Sequence, residues 1–78
     1  MIKQLIGPFQ ANQELCTFGV IKHLGIQIKS LAPKSVFINN QEIIIDKINI
    51  YELKDVEITS LKFKENMDNN TIIVYILK

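Results

Sequence analysis

Apolar and polar residues alternate along much of this 78-residue chain with a period of two, the signature of half-buried strands rather than helices. Leu24, Ile26 and Ile28 alternate with Gly25, Gln27 and Lys29, which predicts a strand over 21–28. Val36-Phe37-Ile38 leads into Asn39-Asn40, and Glu42 to Ile45 is the return strand. Asn tolerates the positive φ angles of tight hairpin turns, so 36–45 predicts a β-hairpin. Asp46-Lys47 breaks the chain. Beyond it Ile48 and Ile50 face one way, and Asn49 and Tyr51 the other.

Four segments need more argument. Residues 1–6 alternate weakly and predict an edge strand, ended by Gly7-Pro8 because proline cannot donate to a ladder. For 10–24 a helix competes with strand. Leu15, Phe18 and Lys22 make no apolar stripe, and Thr17, Gly19 and Val20 disfavour a helix, so a strand over 15–20 is the better expectation. In 56–63, Val56 and Ile58 share one parity, and Leu61 and Phe63 the other. A bulge between Thr59 and Ser60 would supply the phase change; otherwise the strand is apolar on opposite sides in its two halves. The last run, 72–77, is apolar on both faces, which predicts a strand that is central or lies under a partner.

The sum is an all-β domain over residues 1–78, a small β-sandwich or barrel of about seven short antiparallel strands. A chain of this length buries only about 60% of its unfolded surface. It cannot hide both faces of several strands, so a second buried surface is expected with partners, chiefly copies of itself.

Composition narrows the function classes. The formal charge is +1, and lysine supplies every basic side chain other than the one histidine. Without arginine there is no guanidinium fork for phosphates or guanine edges, and no basic face stands out, so nucleic acid is not an expected partner. Polar residues interrupt 1–28, which fits neither a signal peptide nor a membrane span; use without export, and no membrane association, are the expectations. The lone Cys16 fits a reducing compartment and reads as a small buried hydrophobe.

Candidate chemistry is sparse. His23 has no ligand or catalytic partner near it in sequence, and nothing orients it toward Cys16. Asn66, Asp68 and Asn70 alternate as calcium-loop ligands do, yet lack the glycine and the downstream glutamate; a solvated hairpin loop is the simpler reading. The three glycines are scattered, so no phosphate cradle exists. No cofactor or metal and no catalytic residue is assigned. Tyr51-Glu52 reads as a corner or binding position. A carbohydrate site would use Tyr51, Tyr75 and the 65–71 loop. The interface candidates are Ile43, Ile45, Ile73, Tyr75 and Ile76.

Across 25–75 the order of segments resembles a small family of proteins from phages and prophages of low-GC Gram-positive bacteria. The resemblance rests on Gly25-Ile26-Gln27, Pro33, Val36-Phe37-Ile38-Asn39, Ile43-Ile44-Ile45 and Ile50-Tyr51-Glu52-Leu53. It continues through Ile58-Thr59-Ser60-Leu61-Lys62-Phe63 and the closing apolar run 72–76. Asn49 stands where the family pattern has Gly, and Pro33-Lys34-Ser35 replaces a Pro-Gly-Thr-like loop. The resemblance implies a β module of the virion (tail, baseplate, neck or capsid), assembled in the host cytoplasm and working by contacts with itself and other virion proteins. The alternative is a binding module for cell-surface carbohydrate or a host protein.

Overall fold

The computed structural model describes residues 2–29, 32–46 and 50–78. Among them seven strands form two antiparallel sheets: β1 (Ile2–Ile6), β2 (Ile21–Gln27), β3 (Lys34–Ile38), β4 (Gln41–Ile45), β5 (Tyr51–Leu53), β6 (Leu61–Phe63) and β7 (Ile72–Leu77). The strand orders are β1-β7-β2-β5 and β4-β3-β6. The all-β expectation holds, in its two-sheet form.

The period-two pattern decides which side chains meet between the sheets. From the first sheet Leu24, Ile26, Ile73 and Tyr75 point inward; from the second come Val36, Ile38, Ile45, Leu61 and Phe63, all buried. Phe9 and Met67 exchange backbone hydrogen bonds of 2.9 and 2.8 Å, and both are buried. The Phe9 ring stacks on Phe63 with centroids 5.9 Å apart. Each such fully buried side chain contributes about 1.5–3 kcal/mol.

The hairpin forms as expected. Asn39 and Asn40 have φ of 51° and 67°, and Ile38 pairs with Gln41 across them. Both central residues at positive φ make the turn whose twist matches a hairpin.

Two expectations are corrected. Residues 15–20 form no strand. Leu15 and Cys16 are both buried although adjacent, which strict alternation forbids, and Gly19 sits at φ 140°. The phase change at 59–60 is not a bulge within one strand. Ile58 exchanges two backbone hydrogen bonds of 2.9 Å with Ile21 of the first sheet, while β6, starting at Leu61, pairs with β3 of the second. The chain crosses between sheets there, and both halves face the same core from opposite sides. A register shift does occur, but in β2: Ile21 opposes Leu77 and His23 opposes Ile76, leaving Lys22 as the extra residue. The expected positions of Ile48 and Asn49 lie outside the described residues.

The crossing is held by two side chains. Asn39 Oδ1 accepts from the N–H of Thr59 (2.9 Å) and of Ser60 (3.3 Å), and its Nδ2 donates to the Glu57 carbonyl at 2.8 Å. From the other side the half-buried Glu14 accepts from the Ser60 hydroxyl (2.6 Å), the Leu61 N–H (2.7 Å) and the Cys16 N–H (3.1 Å). Burial alone would raise the Glu14 pKa, but these three donors, with the Lys62 charge, outweigh it and hold the carboxyl below its ordinary 4.5.

A carboxyl lowered in the folded state contributes stability above its unfolded value and loses it as pH falls through the folded one. Glu14→Gln should therefore cost about 1.5–3 kcal/mol at pH 7 by urea denaturation, the value of hydrogen bonds to a charged acceptor. The gap to the unsubstituted protein should narrow as pH drops below 4.5. A gap independent of pH would show that shape rather than charge is what Glu14 supplies.

Candidate interaction surface

The two outer faces of the sandwich differ. On the second sheet the outward residues are Ser35, Glu42 and Lys62, joined by the half-buried Phe37 and, diagonal to it, the exposed Ile44. Lys64 Nζ lies 3.2 Å from Glu42 Oε2, and the Glu42 pKa is lowered by a hydrogen bond from Ser35 and then by Lys64. That face is an ordinary solvated one.

The first sheet is different. Its registers set Ile76 beside Ile2, Val74 beside Gln4 and Ile72 beside Ile6. These residues have the parity opposite to the buried Ile73 and Tyr75, so they face away from the core. Ile2 is 68% exposed, and Ile6 and Ile50 are 58% exposed each. Ile72, Val74 and Ile76 are half-buried between the flanking strands. On the far side of β7, His23 opposes Ile76 and Gly25 opposes Val74.

Gly25 carries no side chain, and its neighbour across β5 is the exposed Glu52. The result is a shallow groove of about 240 Å³, floored by Gly25 and Val74 and walled by Ile2, Ile50 and Ile76, with His23 and Glu52 at its polar margin. An added Cβ at position 25 would come within 3.3 Å of the Ile50 Cγ2. His23 Nε2 lies 3.5 Å from Asp55 Oδ1, and Glu52 Oε1 lies 3.8 Å from Lys54 Nζ.

The sequence-derived site residues separate along this geometry. Ile45, Ile73 and Tyr75 are buried within this chain's own core, so as interface residues they are corrected: each has inward parity. Ile43 is half-buried against the same core. Ile76 alone of the five lies on the outward apolar face. Ile72 and Val74 lie in the run expected to be central or under a partner, although on a strand apolar on both sides periodicity does not tell which side is in; Ile2 and Ile6, in the weakly alternating first segment, are the residues the sequence does not single out.

Tyr51-Glu52 is a piece of edge strand β5, not a corner. Tyr51 opposes Ile26 and packs half-buried on the core, while Glu52 reaches Lys54 rather than a backbone donor. Tyr75 stacks on Phe18, centroids 4.5 Å apart, and only the Phe18 edge of that pair reaches the surface, at 37% exposure.

The polar loop is pinned rather than open. Asn66 Oδ1 accepts from the Ala11 N–H at 2.8 Å, and Asp68 Oδ1 from the Asn70 N–H at 2.9 Å. Their oxygens are thus spent on separate backbone donors. Among the described residues no cluster of three or more His, Cys, Asp or Glu is placed to hold a metal, and no helix is long and apolar enough to cross a membrane.

Cys16 Sγ donates to the carbonyls of Gly19 (3.0 Å) and Ile58 (3.4 Å). Burial, and then the Glu14 charge, push its pKa up, which keeps it as the unreactive thiol. Its contacts are with these backbone groups, and those of His23 are with Asp55 at the sheet margin, so the two do not share a site.

Comparison with known protein families, with curated proteins and with solved structures gives no match for this chain.

The parity assignment has a direct check. Ile73→Ala should destabilise the fold by about 2–5 kcal/mol, the cost of emptying a core site. Val74→Ala, one residue on and facing out, should cost well under that, at about 1 kcal/mol or less. Equal losses in urea denaturation would mean that the outward face is packed as tightly as the core.

Proposed function

We propose that this chain is a structural module of a phage or phage-derived particle, acting through protein–protein contacts rather than through catalysis. The observation that supports this is the outer face of the β1-β7-β2-β5 sheet. A two-sheet sandwich needs one apolar face per sheet, and this one carries isoleucine or valine at Ile2, Ile6, Ile50, Ile72, Val74 and Ile76 on its second face as well. Contiguous apolar surface of this kind, bordered by polar residues, marks sites of association. The segment resemblance to phage and prophage proteins supplies the kind of assembly: one in which a modest contact, repeated by symmetry, becomes strong.

A carbohydrate-binding role draws less support. Sugar platforms require exposed aromatic faces. Tyr75 is buried, Tyr51 packs on the core, and in the 65–71 loop Asn66 Oδ1 and Asp68 Oδ1 are taken by backbone donors and Glu65 by Lys34.

The experiment is quantitative mass spectrometry of particles purified from an induced lysate of the source strain. A fixed stoichiometry relative to the tail or capsid subunits is the expected outcome, and the ratio gives its symmetry. Particles that form without the chain would exclude the virion role and make a glycan screen the next step.

A further inference from the structure

We propose that a second copy of this chain pairs with it edge to edge along β4, antiparallel about a two-fold axis at Ile43, so that the two β4-β3-β6 sheets become one continuous sheet. The pairing uses a different part of the molecule from the outward face of the first sheet, and it does not depend on a virion role.

The edges of the two sheets are not alike. β6 is covered: the Leu61 and Phe63 carbonyls accept from the N–H groups of Leu15 and Asn12 at 2.8 Å each, and Glu14 takes the Leu61 N–H. β5 has only three residues and runs into Lys54-Asp55, where Asp55 has φ 57°. β1 carries Lys3 opposite the buried Tyr75, a charge at inward parity on an edge strand. Short strands and inward charges are devices that keep an edge from pairing. β4 has neither. It is five residues long, its inward Ile43 and Ile45 are apolar, and among the described residues no strand lies beyond it.

The hairpin register shows which backbone groups of β4 are left over. Ser35 and Asn39 turn theirs to the β6 side, where the Ser35 carbonyl accepts from the Lys64 N–H at 3.1 Å and the Asn39 N–H donates to the Ser60 carbonyl at 3.0 Å. Direction alternates along a strand, so Lys34, Val36 and Ile38 turn to β4 and meet Ile45, Ile43 and Gln41. The N–H and C=O of Glu42 and Ile44 therefore point off the edge. An antiparallel copy centred on Ile43 answers them: Glu42 of each chain exchanges both hydrogen bonds with Ile44 of the other.

Charge selects this register. Centring on Glu42 would oppose two carboxylates, and centring on Ile44 would oppose Glu42 to Asp46 of the copy; like charges directly opposite destabilise a pair. Centring on Ile43 opposes Glu42 to Ile44 and Gln41 to Ile45. The two Glu42 carboxylates then lie on a diagonal, about 7–8 Å apart at the backbone. Each is held by its own Lys64 at 3.2 Å.

The same register accounts for an exposed isoleucine. Ile44 is 63% exposed and diagonal to Phe37. Across the seam the two Ile44 side chains are diagonal to each other, so Phe37, Ile44 and their counterparts make one apolar zigzag. On the inward side the half-buried Ile43 meets Ile43 of the copy at a non-hydrogen-bonded position, where side chains come closest. An arbitrary strand satisfies the backbone alone; β4 of a second copy satisfies backbone, side chains and charges together.

The seam is narrow, so the pair is weak. Sedimentation equilibrium from about 1 µM to about 1 mM should show a monomer–dimer equilibrium with a dissociation constant in that range. Ile44→Pro removes an N–H that has no ladder partner in the monomer, so it should abolish pairing and leave the fold. Ile44→Glu, set against Glu42 of the copy at two symmetric places, should weaken pairing about tenfold, and Ile44→Lys by about threefold at most. Ile2→Glu, on the outer face of the other sheet, should leave it unchanged. Circular dichroism melts check that each variant is folded. In the unsubstituted chain, hydrogen exchange at the Glu42 and Ile44 amides should slow as concentration rises, while the Ile43 amide, already bonded within the hairpin, should not change.

A chain monomeric throughout, a dimer indifferent to Ile44→Pro, or equal losses from Ile44→Glu and Ile44→Lys overturns the proposal. Should Ile44→Pro fail to fold, the exchange of the Glu42 and Ile44 amides decides, and rates independent of concentration overturn it. If the chain is monomeric yet present in particles at fixed ratio, only this inference falls. If it pairs as stated but particles lack it, the pairing stands and the virion role falls.

Discussion

The fold depends on a short crossing. Between Ile58 and Leu61 the chain leaves the edge of one sheet and enters the other, and this step is pinned by side chains from two remote parts of the chain. A backbone that changes sheets must give up its ladder partners for a few residues, and its amides then need partners from elsewhere. Asn39 and Glu14 supply the missing partners from opposite sides. One comes from the tip of the β3–β4 hairpin and the other from the irregular segment after β1. The crossing therefore ties together three parts of the chain that are remote in sequence. Asn39 serves twice over, because the positive φ that makes it a turn residue also aims its amide at the crossing.

How much of this was legible in the sequence follows from which signals are local. The hairpin was, because Asn39-Asn40 carries its own turn chemistry between two apolar runs. The inward set of β2 was, because Leu24, Ile26 and Ile28 alternate cleanly with small and polar neighbours. The crossing was visible only as a phase error at Thr59-Ser60. A bulge and a change of sheet leave the same mark on periodicity, and only the identity of the pairing partners separates them. Residues 15–20 failed for a similar reason: Leu15 and Cys16 plug an end of the core from irregular backbone, for which no period exists.

The candidate site was legible as a strand but not as a face. The sequence marks 72–77 as apolar on both sides, and the structure places that strand inside its sheet, with the odd-numbered Ile73 and Tyr75 in the core. Choosing the outward parity required the neighbours of β7, and those come from 1–6 and 21–27, far away in sequence. Glu52 and Tyr51 were prominent as a motif, yet they form an edge strand whose part in the surface is to border it. The feature that shapes the groove is Gly25, notable for the side chain it lacks.

The position of β7 also bears on biosynthesis. It is the last of the seven strands to be made, yet it pairs with the first and the second. On the ribosome the β3–β4 hairpin can close as soon as it emerges, whereas β1 and β2 must wait with their isoleucines uncovered until nearly the whole domain has been translated. Non-local pairing of this kind is slow and leaves apolar strands exposed meanwhile. A nascent chain of this protein is thus most vulnerable to chaperone capture or aggregation in the interval before Ile72 to Leu77 clears the exit tunnel, and synonymous changes that slow translation there would lengthen that interval.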